Sequence, residues 1–210
     1  DQWEWDFGDG ANETVQNPQH TYPNQGTFTV ELVVHTNFGC TDTISSGITV
    51  HPMPVSEFMV SNACVDGIAT VTDNSSITTG NIDQWLWVFD VTDTVFGQFP
   101  TLGTLPVGLY PVELTVTSDY GCQHTSFSDI EIYPLPVPMF TADTVCLGQP
   151  TQFTDLSTGT NNYPITEWNW TFTNNVTSTD QNATNIYSNF GTNYAELTVT
   201  NSVGCDDIIN

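Results

Sequence analysis

Two carboxylates stand close together in the opening segment DQWEWDFGDG: Asp6 and Asp9, with Phe7 and Gly8 between them. Carboxylate oxygens are the ligands a hard cation such as calcium requires, and the chain contains no lysine or arginine to compete for them. Asp6 and Asp9 are therefore the candidate metal ligands, and Asp90 and Asp93 are the corresponding pair further along. The same stretch also reads as a plain tight turn, because Gly8-Asp9-Gly10 supplies the positive φ that such turns need. Trp3, Trp5 and Phe7 alternate and so share one face of a strand. A row of aromatics can fill a core or stack on sugar rings. Trp5 and Phe7 are assigned to the core, and Trp3, near the strand end, is the candidate glycan contact.

Catalytic constellations are not evident. Serine, histidine and aspartate are present, but there is no GxSxG elbow, no HExxH pair and no phosphate-cradling glycine loop. Carboxylates that recur in register along a chain would have to be catalytic several times over. The chain is read as a non-enzyme that requires no cofactor, with calcium the one ligand its residues suggest.

The elements that position these residues repeat. Trp3, Trp85 and Trp168 recur at a step of about 82 residues, the mark of a tandem array. Cys40, Cys122 and Cys205, each preceded by glycine, keep the same step, and so do Cys64 and Cys146. The segments FTVELVV (28–34), YPVELTV (110–116) and NYAELTV (193–199) fall into line with them. HPMPVSEF (51–58) and YPLPVPMF (133–140) mark proline-rich junctions, whose fixed φ keeps them short and stiff. Within each period, short alternating apolar runs such as Val30, Leu32 and Val34 are separated by glycine- and asparagine-rich turns, with no helical periodicity. The expected fold is all-β: about seven antiparallel strands per period, packed as a sandwich. The expected units are 1–52, lacking its N-terminal strands; 53–135, complete; and 136–210, stopping at its last strand.

Repetition also suggests how the five cysteines are used. The second and third periods each have one early cysteine and one late one, which predicts the disulfides Cys64–Cys122 and Cys146–Cys205 and leaves Cys40, the late cysteine of the first, with a partner outside these residues. The competing thiolate–metal reading lacks a CxxC, and His20, His35, His51 and His124 show no ligand spacing. Disulfides point to an extracellular or cell-surface location.

A formal charge of −24 with no basic side chain excludes phosphate-neutralising contacts to nucleic acid and attraction to anionic membranes. It also leaves trypsin no cleavage site. No apolar run approaches the ~20 residues of a membrane span.

WDFGDG (5–10) followed by QHTYPNQGTFTVELVV (19–34) resembles the polycystic-kidney-disease (PKD) domain family, whose signature is a tryptophan strand, a GDG turn, a tyrosine, a glycine and an alternating strand. In the later periods the turn has eroded to WVFDVTD (87–93) and WTFTNNV (170–176). The resemblance implies immunoglobulin-like seven-stranded sandwiches throughout. The tandem layout is similar to that of giant Bacteroidota surface and gliding adhesins exported by the type IX system. This implies an adhesive or structural rod or filament, with neighbouring repeats, identical chains, and surface glycans or proteins as partners. The alternative is a spacer or accessory carbohydrate- or protein-binding region of a secreted polymer-degrading enzyme.

Overall fold

The computed structural model describes residues 1–90 and 93–210, so Val91 and Thr92, inside the eroded WVFDVTD turn, lie outside the described residues. The described residues hold strands and no α-helix. In the first period β1 (Gln2–Asp6), β2 (Asn12–Glu13), β3 (Gly26–His35) and β4 (Thr41–Val50) form one antiparallel sheet in the order β2-β1-β3-β4. The middle period contributes β5 (Phe58–Ser61), β6 (Ala63–Cys64), β7 (Thr70–Asp73), β8 (Ile82–Phe89), β9 (Asp93–Phe96), β10 (Gly108–Ser118) and β11 (Gln123–Tyr133). These make a two-stranded sheet, β5-β7, and a five-stranded one, β6-β11-β10-β8-β9. The third period consists of β12 (Phe140–Ala142), β13 (Pro150–Asp155), β14 (Ile165–Phe172), β15 (Thr177–Ser178), β16 (Ala183–Ile186), β17 (Ala195–Asn201) and β18 (Asp206–Ile209). Its sheets are β12-β13-β16 and β15-β14-β17-β18.

The third period shows why the tryptophan strand recurs. Trp170 pairs with Leu197 across β14 and β17, and both side chains point inward. Phe140 and Phe153 from the facing sheet meet the Trp170 ring at centroid distances of 5.2 and 5.7 Å, closing the core of a two-layer sandwich. Trp5 pairs with Leu32 in the same register. Alternation therefore sets which residues are inside, and indole area supplies much of the burial. Each of these strands also secures its tryptophan ten residues downstream. Trp5 donates its indole N–H to the Val15 carbonyl, Trp87 to Gly97 and Trp170 to Asp180, at 3.1, 3.0 and 2.9 Å.

Coverage differs along the chain. Leu114 and Leu197 are fully buried, whereas Leu32, at the equivalent position of the first sheet, is half-buried. The chain divides into two compact units: one of residues 1–59, 73–100 and 113–127, and another of residues 60–72, 101–112 and 128–210. Residues 53–135 contribute to both. No helix among the described residues is long and apolar enough to cross a membrane.

Candidate functional site

The GDG turn is built by its own carboxylates. Asp6 Oδ1 accepts the Gly8 N–H at 2.8 Å and Asp9 Oδ1 accepts the Ala11 N–H at 3.0 Å. Asp9 Oδ2 lies 2.7 Å from His20 Nε2, and the His20 ring stacks on Phe7 at 4.1 Å. The hydrogen bond from His20 holds the Asp9 carboxyl below its usual value, against a smaller opposing effect of burial. Gly8 has φ +78°, and a β-carbon there would fall 2.5 Å from the Thr29 carbonyl oxygen, so no other residue fits. Asp6 and Asp9 are thus engaged as turn-forming acceptors. Among the described residues no group of three or more histidine, cysteine, aspartate or glutamate side chains is placed to hold a metal ion. Asp90 sits at φ +45°, and Asp93 opens β9 opposite Phe89.

A second cluster, not anticipated from the residues, repeats in the two later periods. Trp168 donates its indole N–H to Asp155 Oδ2 at 2.8 Å, Gln181 donates to the same oxygen at 3.1 Å, and the Ser157 N–H reaches Asp155 Oδ1 at 2.9 Å. Trp85, Gln98 and Ser75 surround Asp73 in the same way, at 2.8, 3.0 and 3.0 Å. Partial burial raises the pKa of Asp155, but the hydrogen bonds from Ser157, Gln181 and Trp168 outweigh it and leave the carboxyl below its usual value. The signal was in the sequence: Asp73 and Asp155 are one period apart, and Gln16, Gln98 and Gln181 keep the same step. Trp3 occupies the position of Trp85 and Trp168, and like them it is half-buried. Its two equivalents spend their polar edge on an internal carboxylate.

The cysteines correct the sequence-based pairing. Cys64 is bonded to Cys205, with Cα atoms 5.7 Å apart and a sequence separation of 141 residues. Cys40, Cys122 and Cys146 are free, so neither Cys64–Cys122 nor Cys146–Cys205 forms. Periodicity could not separate these outcomes. Joining each early cysteine to the late one of its own period, or to the late one of the next, obeys the same repeat; the position of β6 decides. β6 runs parallel to the end of β11, with Cys64 opposite Tyr133, beside the junction that opens the third period. Around this bond, Asn201 Nδ2 donates to the Pro134 carbonyl at 3.0 Å, the Tyr163 hydroxyl donates to Glu131, and the Tyr133 and Tyr163 rings meet edge-on at 5.3 Å. Cys205 is completely buried. The other junction has its own aromatic contact: His51, one period before Tyr133, stacks on Tyr120 at 3.6 Å.

A shallow cleft of about 580 Å³ lies in the third period, bordered by Phe140, Cys146, Leu147, Tyr187 and Phe190. Asp143 is the acidic side chain on its wall, and among the described residues lining the cleft there is no second carboxylate side chain to act with it.

The PKD domain family model matches residues 1–50 and 134–209, more than half of the chain. The pre-pro-metalloprotease PrtV of Vibrio cholerae serotype O1 is 29% identical over 163 residues, covering 77% of this chain and 17% of that protein. Collagenase ColA of Bacillus cereus is 34% identical over 89 residues, covering 42% of this chain and 9% of that protein. The chain therefore spans less than a fifth of the length of either relative. Among solved structures, the PKD1 domain of Vibrio cholerae PrtV aligns with 31% identity over 39% of this chain and 98% of its own, at a TM-score of 0.36. The three N-terminal domains of the bacteriophage RB49 outer capsid protein Hoc align over 99% of this chain and 83% of theirs, at 13% identity and a TM-score of 0.50, a likeness of fold. With its aromatic strand, GDG turn and two-layer core in place, the chain belongs to the PKD domain family.

Proposed function

We propose that this chain is a non-catalytic, extracellular spacer: successive PKD-type sandwiches, close to the units 1–52, 53–135 and 136–210, that hold the flanking parts of a larger secreted protein at a set distance. The observation that carries this reading is the Cys64–Cys205 bond, which joins the start of one period to the end of the next and so fixes a junction covalently. A disulfide of that kind persists in an oxidising compartment. The PKD-containing relatives, a metalloprotease and a collagenase, are several times longer than this chain. The parent protein is accordingly taken to be a secreted enzyme acting on protein polymers, with its catalytic domain outside these 210 residues.

One observation favours a second reading, an adhesive array of the Bacteroidota surface type. A single repeat step is kept with little drift by tryptophans, cysteines and closing strands alike, as in long arrays of equal units. Immunogold electron microscopy of the producing cells, with an antibody raised against residues 53–135, separates the two. Label in the secreted soluble fraction supports the enzyme spacer. Label strung along fibres leaving the envelope overturns it in favour of the adhesin.

A further inference from the structure

We propose that the Cys64–Cys205 bond is one rung of a ladder: in every pair of successive periods, the early cysteine of the first is bonded to the Gly-Cys cysteine of the second. Two observations carry this beyond the single bond. The first is a choice. Cys64 has Cys122 in its own period and Cys205 has Cys146 in its own, yet both take the partner across the junction.

The second is that the backbone presents each free cysteine as it presents its bonded equivalent. In the late turns, Gly39, Gly121 and Gly204 have φ of +81°, +80° and +86°. Each donates its N–H to the carbonyl of the residue three before it (Thr36, Ser118 and Asn201), at 3.0, 2.9 and 3.0 Å. Those same residues donate to the carbonyls of Cys40, Cys122 and Cys205 at 2.9, 2.9 and 2.8 Å. The early turns match as well. The Cys64 carbonyl accepts the Gly67 N–H at 2.9 Å and the Cys146 carbonyl accepts the Gln149 N–H at 3.0 Å. The intervening Asp66 and Gly148 are both left-handed, at φ +68° and +79°. The three free cysteines therefore sit on the same backbone turns as their bonded equivalents, and the ladder assigns each of them the matching cysteine of an adjoining period as its partner. Formation of each rung oxidises two thiols to one disulfide. Two electrons and two protons pass to the disulfide-exchange or oxidase system of the secretory compartment.

The ladder gives the array a mechanical property. Tension along the chain crosses each junction through a covalent bond, and the 141-residue stretch from one cysteine to the other is bypassed.

The test is disulfide mapping of the oxidised chain after alkylation, using Asp- and Glu-specific proteases, which place each of the five cysteines on its own peptide. The ladder predicts a Cys64–Cys205 linked peptide and alkylated Cys40, Cys122 and Cys146; a Cys64–Cys122 or Cys146–Cys205 peptide overturns it. The decisive arm extends the chain by a second copy of residues 128–210 joined after Asn210, which keeps the period because Phe127 precedes Asn210 by the same step that separates Cys122 from Cys205. Cys146 should then move from the alkylated fraction into a bond with the appended copy of Cys205, and a Cys146 that stays alkylated refutes the ladder. Should the extended chain fail to fold, Cys64→Ser in the original chain decides. Cys205 and Cys146 are then both alkylated, whereas a bond between them refutes the rule.

Discussion

Replacing Asp155 by asparagine tests whether the first tryptophan of the aromatic strand is a structural ligand of its own domain or a surface left free for sugars. One Asp155 oxygen takes two donors, Trp168 Nε1 at 2.8 Å and Gln181 Nε2 at 3.1 Å, while the other takes the Ser157 N–H at 2.9 Å. Asparagine can keep its oxygen toward only one set. The other set then faces an NH2 group, donor against donor. Hydrogen bonds to a charged acceptor contribute about 1.5–3 kcal/mol each. The cluster is partly exposed, which screens the charge, so Asp155→Asn should cost about 2 kcal/mol in total at pH 7. Trp168→Phe, which leaves Gln181 and Ser157 in place, should cost about 1–1.5 kcal/mol.

The assay is urea unfolding followed by far-UV circular dichroism at a series of pH values. The sign of the pH effect follows from the depressed carboxyl. Asp155 lies below its ordinary value of 3.8, so its contribution is fully present above that value and is lost as pH falls through the lower folded-state value. The wild-type and Asp155→Asn curves should therefore converge in acid, below pH 3.8. A gap under about 0.5 kcal/mol at neutral pH, within the range of ordinary surface substitutions, would refute the cluster's role. So would a gap that persists unchanged into acid.

Other outcomes follow from the same geometry. Cys64→Ser, which opens a loop of 141 residues, should lower stability by about 5 kcal/mol in the chain-entropy treatment, measured as a fall in urea midpoint matched by reduction of the wild type. Gly8→Ala should cost about 2–3 kcal/mol, since the new β-carbon meets the Thr29 carbonyl oxygen in a left-handed backbone; a thermal melt unchanged by the substitution contradicts the turn geometry. With Asp9 occupied by His20, adding calcium or a chelator should shift the melting temperature by less than about 1 °C. A large calcium-dependent rise would revive Asp6 and Asp9 as cation ligands.

Alternation in the closing strands and the aromatic strand showed which residues face inward, because strand geometry allows only two faces and one must be apolar. The even spacing of Trp3, Trp85 and Trp168 made three copies of that pattern visible, and the GDG segment showed where the first turn lies. All of this is local or repeated information. What only the tertiary structure decided is long-range. His20 was one of four scattered histidines until the turn brought its ring onto Phe7 and its nitrogen onto Asp9, eleven residues away. Asp155 and Gln181 are 26 residues apart and meet because β13 and β16 are antiparallel neighbours in one sheet, where the Phe153–Ala183 register carries Gln181 opposite Asp155. The cysteines are the clearest case. A repeat establishes which positions are equivalent, but pairing within a period and pairing with the next period both obey it. The position of β6 beside the end of β11, and so beside the junction, makes Cys205 the partner of Cys64.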